Sequence, residues 1–343
     1  CVNENTFYNL DIEEGLIGGA SYDKFKLPIT DQVLEKANNA DAVILGAVGG
    51  PKYDSLPFKL KPERGLLKLR KELDLFANIR PAKAFNALKE ASSLKSEIIK
   101  GMDIIVLREL TGGIYFGEPR GIEDLDDGQR RGVNTEVYTT NEIVRLAKVG
   151  FEIATERKGL VHSVEKANVM ESGILWREEV KKLHETKFSN ITLLNMYADN
   201  CAMQLVKNPS QFDVIITGNL FGDILSDISA ELTGSLGMLP SASLGDRIDD
   251  RRKSLYEPVH GSAPDIAGKN IANPIAMIMS FSMMLEHSFY DQKTSKVIEK
   301  SVENVLENGF RTKDICQDDT KEVSTSDMGE LICEEFKSLS KNI

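Results

Sequence analysis

Short apolar runs alternate with helical periodicities along this chain, and the alternation sets the first expectation of fold. Residues 41–47, 103–107, 160–164, 191–196 and 213–217 are runs rich in Val, Ile and Leu, the pattern of strands buried in a sheet. Between them lie amphipathic segments. Residues 143–154 place Ile143, Leu146, Ala147, Gly150, Phe151 and Ala154 on one helical face, and Thr139 with Glu142 has capping-box spacing just before it. Residues 65–76, 173–186, 221–232, 275–286 and 327–337 are expected to be further helices. The polar stretch 246–253 reads as a surface loop, and no internal repeat or low-complexity tract interrupts the order. Strands alternating with helices imply an α/β architecture.

The stretch from Asp213 to Asp227 holds the first candidate chemistry. If the chain turns into a helix after Gly218, Asp223 and Asp227 project from one face, four residues apart. Like charges so placed repel and raise each other's pKa, so the pair calls for a cation, and a hard divalent metal suits carboxylate oxygens. A lone pair at this spacing is usually solvated. Here it follows a buried strand, at the end of the sheet where open α/β folds place ligands.

Composition narrows the partners. At 343 residues two domains are expected, with residues 1–75 plus 236–343 in one and 76–235 in the other. A formal charge of -11 disfavours a nucleic-acid binder. The apolar tract near residues 274–285 is too short for a membrane span and reads as a core helix, and the acidic start lacks the form of a secretory signal. Four scattered cysteines without C-x-x-C spacing suggest reduced thiols and a cytoplasmic setting, and the four histidines have no zinc spacing.

Several side chains could carry chemistry. No G-x-G-x-x-G follows a strand, so a standard Rossmann fingerprint is absent. Gly46 to Gly50 is glycine-rich, with a tight turn as its simplest reading. Arg70, Arg80 and Arg108 sit among apolar neighbours, and three converging guanidinium groups would grip a dicarboxylate, although surface salt bridges explain each one singly. Tyr115 lies between glycines that permit close approach; Lys166 follows the 160–164 strand and is a candidate base. In the loop 256–265, Asp265 could accept from a ribose hydroxyl and repel a 2′-phosphate, the logic of an NAD site.

Taken in order, the segments 62–67 (PERGLL), 75–81 (LFANIRP), 108–120, 165–169 (EKANV), 218–227 and 256–265 resemble the metal-dependent β-decarboxylating dehydrogenases. This family includes isocitrate, homoisocitrate, tartrate and D-malate dehydrogenases, and the likeness is to its 3-isopropylmalate branch. It runs from about Gly18 to about Gly329. The resemblance implies a two-domain isocitrate/isopropylmalate dehydrogenase-like fold with a large mixed sheet. It also implies oxidation of 3-isopropylmalate by NAD with loss of the 3-carboxylate as CO2.

By the same resemblance, Mg2+ or Mn2+ is held by Asp199, Asp223 and Asp227, Lys166 is the general base, and Tyr115 is the acid. Arg70, Arg80 and Arg108 match the carboxylate clamp, and Glu63, Leu66, Leu67 and Val169 match positions around the isopropyl group. Glu257, His260, Gly261, Ser262, Ala263, Asp265, Ile266 and Asn273 match the cofactor side. Lys166 and Asp199 reach the active site of the other subunit in the family, which makes a homodimer necessary for catalysis. D-malate or tartrate is the alternative substrate. Family members begin with a strand and a Gly-Asp-Gly-Ile-Gly-Pro-Glu run that does not follow Cys1, so the expectation for a chain starting there is a missing first strand with weak turnover, or a remnant that folds or dimerises without catalysis.

Overall fold

The computed structural model describes residues 1–6, 8–248 and 251–341. Two compact units divide the chain, one of residues 1–75, 84–96 and 230–343, the other of residues 76–83 and 97–229. No helix among the described residues is long and apolar enough to cross a membrane.

In the first unit, strand Arg251–Pro258 pairs antiparallel with Pro240–Ile248 on one side and parallel with the short strand Val43–Ile44 on the other. The 41–47 run thus yields only two residues of strand, and Ile44 is exposed. The polar stretch 246–253 differs from the loop expected: residues 246–248 and 251–253 are the ends of this hairpin, while residues 249 and 250 lie outside the described residues. The charged residues at these strand ends hid an alternation that becomes apolar only farther along both strands. Helix Ile275–His287 is the core helix foreseen for the apolar tract, with Ile275, Ala276 and Leu285 fully buried. A cluster of Met238, Ile275, Val302, Leu306, Met328 and Ile332 packs it with the helices Gln292–Glu307 and Thr325–Ser340.

In the second unit the strand order is Ala77–Lys83, Asp103–Glu109, Val214–Thr217, Leu160–Glu165, Thr192–Tyr197. The first pair is antiparallel and the rest are parallel, so the α/β arrangement is mixed as expected. Val214, Ile215 and Ile216 are wholly buried because their strand is central. Thr192–Tyr197 is different: it lies at the edge, and Leu194 is exposed, so an apolar run read as buried turns one face outward. Helix Thr140–Thr155 buries the six residues whose spacing identified it and carries the Thr139/Glu142 capping box. Glu171–Lys187, Ala198–Lys207 and Asn219–Leu232 are further helices, and strands Gly117–Asp124 and Arg130–Thr135 form a separate antiparallel ribbon.

Candidate active site

The second unit gathers most of the polar candidates at the carboxyl ends of its parallel strands. Val214–Thr217 ends at Gly218 and the chain turns directly into helix Asn219–Leu232, which sets Asp223 and Asp227 on adjacent turns. Strand Asp103–Glu109 delivers Arg108 beside them, and strand Ala77–Lys83 delivers Arg80. Arg108 Nη1 donates to Asp223 Oδ1 in a short contact. Arg80 Nη1 reaches the same oxygen at 3.3 Å and Asp227 Oδ1 at 3.7 Å.

Both guanidinium groups are held from behind. Arg80 Nε donates to Asn78 Oδ1 at 2.7 Å and its Nη1 to Ser226 Oγ at 2.7 Å. Tyr115, on the turn Gly113–Tyr115, donates its hydroxyl to Asp223 Oδ2 at 3.2 Å, and the Arg108 guanidinium lies 5.7 Å from its ring centroid. Burial, and then the Asp223 charge, push the Tyr115 phenol above its ordinary pKa. Burial, and then Asp223, likewise hold the Asp227 carboxyl above the usual range, against the pull of Arg80 and Arg108.

The placement of Asp223 and Asp227 on one face of helix Asn219–Leu232 fits a divalent cation. Two carboxylates on one helical face supply hard oxygen ligands, and the one that remains hard to ionise is the one a cation would relieve. Among the described residues of this chain no group of three acidic, His or Cys side chains forms a metal cluster. Asp199 is elsewhere: it begins helix Ala198–Lys207 and accepts from Lys166 Nζ at 2.6 Å, a hydrogen bond that holds its carboxyl below the ordinary value. Lys166 and Asp199 therefore travel as a pair, and the Asp199 side chain is 67% exposed. Glu165, next to Lys166, is fixed by Arg177 Nε at 2.8 Å, and Val169 nearby is a large apolar side chain left 69% exposed.

The first unit carries the other candidates. Helix Pro62–Glu72 places Glu63, Leu66, Leu67 and Arg70 at i, i+3, i+4 and i+7, so they share one face. Leu66 is partly buried against the core formed by Leu69, Leu73 and Leu75. Arg70 Nη2 donates to Glu257 Oε1 at 2.6 Å, and both side chains are nearly buried. Ser262 Oγ donates to the Gly49 carbonyl at 2.7 Å, and a Cβ on Gly49 would meet the Glu63 carboxylate, so the 46–50 loop touches both groups. His260 Nδ1 is 2.9 Å from the Gly261 carbonyl, Ala263 adopts a positive φ of 40°, and Ile266 closes the turn by donating to the Ala263 carbonyl at 3.1 Å. Asp265 is exposed on that turn. Asn273 donates to Asp314 Oδ2 at 3.0 Å and accepts from the Ile275 amide at 3.0 Å.

Asn78, Ser226, Asn219 and Tyr138 were not candidates from sequence. Asn78 lies two residues from Arg80 on the same strand, while Ser226, Asn219 and Tyr138 find their partners in distant segments, so each reads in sequence as a single polar residue.

A family model described as isocitrate/isopropylmalate dehydrogenase matches residues 1–332. The 3-isopropylmalate dehydrogenase of Pelagibacter ubique is 59% identical over 332 residues, covering 96% of this chain and 90% of the relative. That of Rhodospirillum rubrum is 60% identical over 333 residues, with the same coverage of 96% and 90%. Among solved structures, isocitrate dehydrogenase from Methylococcus capsulatus superposes with a TM-score of 0.85 at 32% identity, covering 98% of this chain and 93% of that one.

Proposed function

The chain belongs to the isocitrate/isopropylmalate dehydrogenase family, and from that premise we propose that it oxidises 3-isopropylmalate with NAD and releases CO2, forming 4-methyl-2-oxopentanoate for leucine synthesis. The observation that carries the reading is the convergence on Asp223 of Arg80, Arg108 and the Tyr115 hydroxyl.

Asp223 and Asp227, with Asp199 of a second copy, are the residues that would hold Mg2+ or Mn2+. A divalent cation there supplies Lewis acidity to the substrate hydroxyl and its neighbouring carboxylate. NAD, on the Glu257 to Asn273 side, supplies the hydride acceptor, and the Asp265 carboxylate disfavours the extra phosphate of NADP.

Arg80 and Arg108 grip a substrate carboxylate through planar, multiply donating guanidinium groups, and Arg70 is assigned to the same clamp by the family resemblance alone. Asn78 and Ser226 hold Arg80 in the required plane, so little side-chain entropy remains to be lost when substrate arrives. Lys166 of the second copy takes the proton from the 2-hydroxyl as hydride leaves C2. The resulting 2-oxo acid loses its 3-carboxylate as CO2, and the electron pair of the broken bond delocalises into an enolate. Tyr115 then gives its phenolic proton to C3. A raised phenol pKa keeps that proton in place until a strong base appears.

Leu66, Leu67 and Val169 are the residues assigned to the apolar side of the substrate pocket. One methylene is worth about 1–3 kcal/mol in such a pocket, enough to favour the branched substrate over D-malate. The homodimer is part of the proposal, because the exposed Lys166 and Asp199 pair serves chemistry only when a second copy receives it. The test is steady-state NADH formation by the protein, comparing 3-isopropylmalate with D-malate and NAD with NADP. The branched substrate with NAD should give the highest kcat/KM. A higher value for D-malate refutes the substrate assignment.

A further inference from the structure

Between the strand that carries Arg108 and the helix that carries Asp223 lies a group of polar side chains that the chemistry above does not use. Asn219 is 1% exposed. Its Oδ1 accepts from Arg108 Nε and Nη2 at 3.0 and 2.8 Å, while its Nδ2 donates to the Gly112 carbonyl at 3.0 Å. Its backbone N–H donates to the Tyr138 hydroxyl at 2.7 Å.

On the other side Glu109, wholly buried, accepts from the Thr111 hydroxyl at 2.7 Å and from the Gly112 amide at 2.6 Å. Arg145 Nη2 completes the set by donating to the Thr111 hydroxyl at 2.7 Å. The Tyr138 hydroxyl occupies the space a Cβ on Gly113 would need, 2.3 Å away, and Gly113 has a φ of +73° that a side chain would resist.

These contacts tie three segments together: the Arg108 strand, the turn that ends at Tyr115, and the first turn of the Asp223 helix. With Nε and Nη2 of Arg108 fixed on Asn219, Nη1 is the nitrogen left to face Asp223. A buried, closely hydrogen-bonded network favours one arrangement over its alternatives, since a shifted member leaves a polar group unpaired in a poorly solvated place.

We propose that Asn219, Tyr138 and Glu109 are positioning residues, a buried brace that sets the Tyr115 hydroxyl and Arg108 against Asp223 for protonation of the decarboxylated substrate. The proposal rests on the reading of Tyr115 as the proton donor. It assigns no contact with substrate to the brace itself.

Tyr138→Phe removes one oxygen atom and leaves the ring. The expected result is a kcat about 10- to 100-fold lower, the penalty of sub-ångström misplacement of a reacting group, with KM for NAD unchanged. In a Tyr115→Phe background the same substitution should cost little more, because residues acting as a unit are non-additive. Equal losses in both backgrounds would overturn the proposal.

A second readout requires no turnover. Hydrogen exchange should quicken in residues 110–116 and 217–223 together, in Tyr138→Phe and in the milder Glu109→Gln, while helix Thr140–Thr155 keeps its protection. Exchange that quickens in only one of the two segments would sink the brace whatever the substrate. If the unaltered protein fails to turn over 3-isopropylmalate while exchange behaves as stated, the substrate reading fails and the brace stands.

Discussion

Gly222→Ala tests how closely the helix that carries Asp223 and Asp227 must sit on the Arg108 strand. Gly222 lies inside helix Asn219–Leu232, where alanine is ordinarily better by about 1 kcal/mol. A Cβ at this position would lie 2.7 Å from Cβ and 2.7 Å from Cγ of Arg108, and 3.2 Å from its Cα. None of those atoms is the free end of a flexible chain, so the helix must move away. Overpacking of this kind costs about 1–3 kcal/mol, which leaves a net loss of about 0–2 kcal/mol after the helix gain. At roughly 2–4 °C per kcal/mol, Tm falls by a few degrees or not at all.

Catalysis should suffer more than stability, because the displaced helix carries Asp223 and Asp227 off the Arg108 side. We expect kcat/KM for 3-isopropylmalate to drop about 10- to 100-fold. Calorimetry and initial rates measure the two effects separately. A higher Tm with unchanged kcat/KM would refute the reasoning, since it would mean that the helix gain is realised and the close approach is unnecessary.

Two further outcomes follow from single residues. Leu67→Ala should lower kcat/KM for 3-isopropylmalate about tenfold or more while leaving D-malate little changed, and a parallel loss for both substrates would remove Leu67 from the isopropyl pocket. His162 is 2% exposed, stacks edge-on against Phe212 at 4.6 Å, and burial lowers its pKa to about 4 from 6.5. A depressed histidine pKa means that the folded state binds fewer protons than the unfolded one between these values. Its contribution is complete above pH 6.5 and is lost as pH falls toward about 4, at up to about 1.4 kcal/mol per pH unit. Denaturant titrations at stepped pH should show that decline, and His162→Leu should flatten it; an unchanged slope would place the acid sensitivity elsewhere.

The elements legible in the sequence were those whose burial is one-sided or total. Helix Thr140–Thr155 announced itself by six apolar positions on one face, and Val214–Thr217 by a wholly apolar run. Thr192–Tyr197 had the same composition but sits at a sheet edge, a distinction set by neighbours rather than by its own residues. The strand ends at residues 246–248 and 251–253 were hidden because their charged sequence carries no apolar alternation. In the site, Asp223 and Asp227 were visible because helical spacing alone pairs them. The backing of Arg80 by Ser226, and of Arg108 by Asn219, was not, because these buried polar residues acquire their meaning from partners 146 and 111 positions away.

Sharing of the active site between protomers is tested most directly by mixing two crippled variants, Lys166→Ala and Tyr115→Phe. If Lys166 serves its partner's Tyr115, each mixed dimer regains one intact site, and random reassociation should restore about a quarter of the unaltered activity. Recovery of that size, measured as NADH formation from 3-isopropylmalate after unfolding and joint refolding, is the expected result. Activity no higher than that of the separately refolded variants would contradict a site built across two copies of the chain.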